Sequence, residues 1–187
     1  MSDEKKINIF GTGTRYQMKK IIKNGENDIK SRKEIEKMEL PIDTFEWEQQ
    51  FYIINEIYCN LTNQQVMTTN PNIIKIIKNQ ISHKLSNYKQ QDILKKLFDK
   101  DKFISFEETI EKFKNSNLKC HYCNENVYLL YKFVREMKQW SLDRIDNSIG
   151  HNCDNVIISC LECNLNRRNK NSESFLFTKQ LKISKMD

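Results

Sequence analysis

Hydrophobic and polar positions divide this chain into a charged lead-in, a run of helical periods, and a short tail patterned like a β-hairpin. Through residues 1–40 basic and acidic side chains alternate with few apolar ones, and Gly11, Gly13 and Gly25 interrupt them. That pattern reads as a loosely ordered, solvated segment and allows a short helix over 31–38. From Asp43 the period becomes helical: Phe45, Trp47, Phe51, Ile54, Ile57 and Tyr58 recur close to every 3.6 residues, with Asp43 or Thr44 as the expected N-cap. Asn70-Pro71 opens a second helix, with Asn as cap and Pro in the first turn, and Ile73, Ile74, Ile77, Ile81 and Leu85 form its stripe. A third, short helix is expected over 92–98. Ser105-Phe106-Glu107-Glu108 has the form of a capping box and opens a fourth helix that runs to about Asn115. These stripes read as core, Trp47 as a buried aromatic and His83 as a partly exposed helical residue. None of them carries a chemical signature.

The period then changes. Residues 140–146, Trp-Ser-Leu-Asp-Arg-Ile-Asp, alternate as a half-buried strand does, and Asn147-Ser148-Ile149-Gly150 is turn chemistry in which Gly150 can take positive φ. Residues 155–159, Asn-Val-Ile-Ile-Ser, are rich in β-branched side chains and read as the return strand; the stretch after Cys160 is helical. The expected fold class is α+β. A charged segment (1–40) precedes a helical support domain (41–116) and a small hairpin-and-helix domain (117–187).

Composition adds two constraints. With 4 Gly, 2 Pro and 30% charged residues the chain suits helices better than a loop-rich β-sandwich. The formal charge of +6 is compatible with a polyanionic partner but is weak evidence alone. There is no run of 18 apolar residues, and the first ten residues lack the apolar core of a secretory signal. The expectation is therefore no membrane association and a reducing compartment inside a cell, cytoplasm or nucleus of a host. There, six cysteines point to metal rather than to disulfides.

The cysteine spacing is specific. Cys120 and Cys123 form one CxxC and Cys160 and Cys163 another. Two thiolates separated by two residues can point inward from a tight turn and fill two corners of a tetrahedron, and the second pair fills the other two. A structural zinc on Cys120, Cys123, Cys160 and Cys163 is expected; one CxxC could be a redox pair, but two are hard to explain without metal. Cys59 and Cys153 read as a buried small residue and a loop thiol, and His121 as a shield of the cluster. Four thiolates and one Zn²⁺ carry about −2, and residues 116–187 hold 11 basic against 8 acidic side chains. Arg167, Arg168 and Lys170 therefore matter more for phosphate than the total suggests, and Arg167 and Arg168 are expected to face solvent.

The compound pattern Cys-x2-Cys, Leu-Asp-Arg-Ile-Asp-Asn-Ser-x-Gly-His, Asp-Asn-Val, Cys-x2-Cys-Asn-x3-Arg over residues 118–170 resembles the zinc-containing HNH endonucleases with a ββα-metal fold. The resemblance implies cleavage of DNA, double-stranded in the usual case, and an origin in mobile elements or viruses. It implies that Asp143 on the first strand and Asn164 on the helix bind a catalytic Mg²⁺ or Mn²⁺. It also implies that Asn155 holds the loop to the hairpin. One position departs from the pattern: the residue after the metal-binding Asp is usually a histidine acting as general base, and here it is Arg144, which cannot take a proton. Two explanations compete. His151 in the loop is the base, or Arg144 clamps the phosphate while water is deprotonated without a dedicated base. Asp146 reads as a turn former. Two other readings stay open: a zinc-stabilised nucleic-acid-binding module without catalysis, and a zinc ribbon used for protein contacts. Oligomeric state and target sequence are not legible.

Overall fold

The computed structural model describes residues 40–63 and 68–181. The lead-in, with its glycines and its allowed helix at 31–38, lies outside the described residues apart from Leu40. The rest folds as α1 (Trp47–Leu61), α2 (Pro71–Leu94), α3 (Phe106–Asn115), β1 (Trp140–Arg144), β2 (Val156–Cys160), α4 (Leu161–Arg167) and α5 (Ser172–Gln180). The architecture is mixed helix with one small two-stranded antiparallel sheet. No helix among the described residues is long and apolar enough to cross a membrane.

The helices form where the apolar period and the caps coincide. The Asn70 side chain accepts from Asn72 N–H with Pro71 in the first turn, and Ser105 and Glu108 close both arms of the capping box on α3. Two helix boundaries differ from expectation. Asp43 and Thr44 do not cap α1; they lie in a single 3-10 turn (Ile42–Phe45), and the extended Glu46 starts the helix. The separate helix at 92–98 does not exist. Nothing between Leu85 and Asp92 breaks the period, so α2 runs on to Leu94. It ends in a Schellman turn, with Lys96 at φ 59° and Leu97 N–H bonded to Asp92 O at 2.8 Å.

One hydrophobic core runs from Ile53, Ile54 and Ile57 of α1 through Ile74, Ile77 and Ile81 of α2 and Phe113 of α3 to Trp140, Leu142 and Ile158 of the hairpin. Phe113 meets Trp140 edge to face at 4.9 Å, and Trp140 is fully buried. Trp47 is half-buried rather than buried, stacked on Phe51 with its Nε1–H on Leu118 O, while His83 is exposed. A buried glutamine ties α1 to the segment before the hairpin. Gln50 Oε1 accepts from Leu129 N–H and Leu130 N–H, and its Nε2 donates to Phe45 O and Leu130 O.

In the hairpin, Trp140 pairs with Cys160, Leu142 with Ile158 and Arg144 with Val156. The expected half-buried alternation is not what forms, because Trp140 to Asp143 are all buried. The apolar face of β1 meets the helical core, and its polar face, Ser141 and Asp143, is covered by α4. A polar pair of positions buried in this way must find partners, and those partners build the site.

Candidate active site

The four cysteine sulfurs of Cys120, Cys123, Cys160 and Cys163 all lie within 4.8 Å of one another, and Cys123 Sγ is 3.9 Å from Cys160 Sγ. A tetrahedral zinc with Zn–S of about 2.3 Å needs sulfurs about 3.8 Å apart. The cluster could therefore hold a metal ion such as zinc. Its electrostatics point the same way. Thiol hydrogen bonds from Cys160 and Cys163 pull Cys120 down, and the resulting thiolate pushes Cys160 up to about 12 and raises Cys163 as well. Negative charges on sulfurs this close repel one another unless a cation offsets them.

Tyr122 sits between the first two cysteines and is fully buried. Its hydroxyl donates to Asp143 Oδ2 at 2.7 Å and lies 3.0 Å from Ser172 Oγ; burial raises its pKa, with Asp143 acting in the same direction. The knuckle thus connects directly to the residue expected to bind the catalytic ion.

Asp143 is buried and paired with Arg167, whose Nε lies 2.6 Å from Oδ2 and Nη2 2.8 Å from Oδ1. Arg167 also donates to the carbonyls of Arg144 and Lys170 and to Asn147 Oδ1. The expectation that Arg167 faces solvent and grips phosphate is therefore wrong: it is 1% exposed, and Nε, Nη1 and Nη2 each donate to the fold. The reason is helical spacing. Arg167 follows Cys163 by four residues and Asn164 by three, so all three share the inward face of α4. Arg168 is exposed as expected, at φ 52° beyond the end of α4, and Lys170 is exposed too.

A carboxylate offers about four lone-pair directions. Oδ2 of Asp143 accepts two hydrogen bonds and Oδ1 one, which leaves one direction on Oδ1. Asn164 Nδ2 donates to Leu142 O and Ser141 Oγ, both at 3.2 Å, so its amide oxygen is turned the other way. Asp143 and Asn164 line the same pocket of about 240 Å³, together with Arg144, His151, Arg168 and Lys95. A carboxylate and an amide bordering one pocket are oxygen donors of the kind that a hard divalent cation takes.

The remaining expected residues divide by role. Asn155 accepts Asp146 N–H at 2.9 Å and donates to the carbonyls of Asp146 and Gly150, so it does tie the loop to the hairpin. Asp146 is the turn former, its Oδ1 accepting from Ser148 N–H and Oγ. Arg144 Nη1 donates to the carbonyls of Asn147 and Ile149 while its side chain still borders the pocket. Gly150 is needed for space rather than for positive φ: a Cβ there would run into Leu97 O and come within 2.9 Å of Asp92 Oδ2.

His151 is not an exposed loop histidine. It is 5% exposed, its ring lies tilted 4.5 Å from that of Tyr88, and its Nδ1 lies 2.8 Å from Asp92 Oδ1. Asp92 Oδ2 also accepts His151 N–H at 2.6 Å. Asp92 was not foreseen; it sits on α2, 59 residues away in sequence, and nothing local marks it except an acidic residue on an apolar stripe. Burial lowers the His151 pKa below its usual value, Asp92 opposing and Arg144 and Lys95 reinforcing that effect. No family model matches this chain, and neither a curated protein nor a solved structure matches it.

Proposed function

We propose that this protein is a divalent-metal-dependent endonuclease of the HNH type, hydrolysing phosphodiester bonds in DNA, with zinc on the four cysteines serving structure alone. The observation that carries the reading is the convergence of Asp143, Arg144, His151 and Asn164 on one pocket. Mg²⁺ or Mn²⁺ held by Asp143 Oδ1 and the Asn164 amide oxygen would neutralise the scissile phosphate and the departing 3′-oxygen. Arg144, Arg168 and Lys95 line the same pocket and supply positive charge to the substrate backbone. Lys170 is exposed just beyond α4 and offers a further positive charge to a phosphate backbone.

His151 takes the proton from the attacking water. Arg144 cannot, since guanidinium stays protonated and here is tied to Asn147 O and Ile149 O. A neutral imidazole near pH 7 suits a general base, and burial keeps His151 in that form.

A second reading has its own observation. The carboxylate of Asp143 is already neutralised by Arg167, and such a pair holds a cation weakly, as a nucleic-acid-binding module that does not cut would. Supercoiled plasmid decides between them. The nuclease reading predicts nicking that requires added Mg²⁺ or Mn²⁺, by protein retaining one zinc, and its loss in Asp143→Asn. Salt-sensitive binding to DNA without any cutting would favour the module.

A further inference from the structure

Resting on the nuclease reading, we infer that Asp92, on α2 and outside the hairpin-and-helix unit, is the positioning residue that orients His151 as the general base. A carboxylate only accepts hydrogen bonds, so the 2.8 Å contact with Asp92 Oδ1 places the imidazole proton on Nδ1. Nε2 is then the basic nitrogen. With Nδ1 on Asp92, Nε2 is the ring nitrogen left for the space that His151 lines. The open space His151 borders is the pocket that holds Asp143 and Asn164.

Three further contacts fix this geometry. Asp92 Oδ2 takes the backbone N–H of His151 itself, so the carboxylate holds residue 151 at two points. The ring of Tyr88, one turn earlier on α2, packs against the imidazole, and the Tyr88 hydroxyl accepts Leu142 N–H of β1 at 3.1 Å. Gly150 allows the close approach, since any Cβ there would collide with the end of α2. Asp92 is itself fully buried, and its ion-pair partner among the described residues is His151, which offsets the cost of burying the carboxylate. The helical region is thus part of the active site and not only a support.

The test uses full-length, zinc-loaded protein with plasmid DNA and Mg²⁺. Asp92→Asn keeps the size and can still accept His151 N–H, but its amide nitrogen would face Nδ1 and force the proton onto Nε2. A general base contributes about 10²–10⁴-fold, so Asp92→Asn should lower kcat on the order of 10²-fold with KM for DNA little changed. His151→Ala should lose as much, and the double variant no more than His151→Ala alone, because the two act as a unit. Nitrogen-15 NMR of the histidine supplies a readout independent of cutting. It should report Nδ1–H in the native protein and Nε2–H in Asp92→Asn. Equal kcat in folded Asp92→Asn and native protein, additive losses in the double variant, or a native Nε2–H tautomer would overturn the inference. If Asp92→Asn fails to fold, the native tautomer alone still decides. Native protein that cuts nothing would sink the nuclease reading instead, a result distinct from all of these.

Discussion

Asp143 and Arg167 meet in a two-pronged ion pair, Nε to Oδ2 at 2.6 Å and Nη2 to Oδ1 at 2.8 Å, buried beneath the hairpin where β1 meets the end of α4. The pair holds the expected metal-binding carboxylate by its far edge and leaves one direction on Oδ1 free towards the pocket. It also means that Asp143 serves the fold as well as the chemistry. Removing one member strands the other charge, which costs about 3–5 kcal/mol in a buried pair. Arg167→Ala should therefore lose about that much stability in urea denaturation, and Arg167→Lys should recover little, because an ammonium cannot span both oxygens. A loss below about 1 kcal/mol for Arg167→Ala would show that the pair does not hold the site.

The four-cysteine knuckle should control the pocket at a distance. Tyr122 lies between Cys120 and Cys123 and donates to Asp143, so loosening the knuckle loosens the carboxylate. Cys163→Ser should abolish retention of one zinc per chain, measured by elemental analysis, and should destabilise the fold. Cutting should not return when Mg²⁺ is added back. Tyr122→Phe keeps the zinc and removes one hydrogen bond to Asp143; its activity should fall while its metal content stays at one. Full zinc retention by Cys163→Ser would contradict the four-sulfur site.

Space around Gly150 is the next point of control. An added Cβ would press on Leu97 O and on the Asp92 carboxylate, so the end of α2 has to move away from the loop. Gly150→Ala should cut more slowly than native protein, with a smaller loss of stability than Arg167→Ala, as overpacking typically costs about 1–3 kcal/mol. Unchanged rate and stability would mean that the loop relaxes without disturbing Asp92.

A pH dependence follows from Lys84. Its Nζ donates to Trp140 O at 2.5 Å and lies 4.6 Å from the Trp140 ring centre, and burial pushes its pKa down from 10.5 to about 7. Between those two values the unfolded chain holds a proton that the folded chain releases. The contribution of Lys84 to stability therefore improves as pH rises through that interval and is at its worst below about 7. Relative to Lys84→Met, native protein should gain stability from neutral to alkaline pH in parallel denaturation series. A difference that stays flat across the interval would contradict the buried-ammonium account.

Much of this was legible in the sequence where the signal is local. The capping box at Ser105, the Asn70-Pro71 start and the turn at Asp146 each depend on neighbours within a few residues and form as read, and the CxxC pairs meet in a cluster that could hold a metal such as zinc. The roles of Arg167, His151 and Asp92 depend on what packs over them. Arg167 could have been found, since its spacing from Cys163 and Asn164 places it on the inward face of α4. The burial of His151 and its pairing with Asp92 could not, because only the unbroken run of α2 past Leu85 carries that carboxylate to the loop. Periodicity also misjudged β1, whose polar face is buried because it is spent on Asp143 and Ser141 contacts rather than on solvent.

The claim most open to a direct check is that Asp143 and Asn164 share one hard cation. Anomalous diffraction from crystals of the zinc-loaded protein soaked in Mn²⁺ would locate it. The account predicts a second metal peak in the pocket, at about 2.1 Å from Asp143 Oδ1 and from the Asn164 amide oxygen, and its absence in Asp143→Asn. A peak only at the four cysteines, with the Asp143–Arg167 pair unaltered at saturating Mn²⁺, would contradict it.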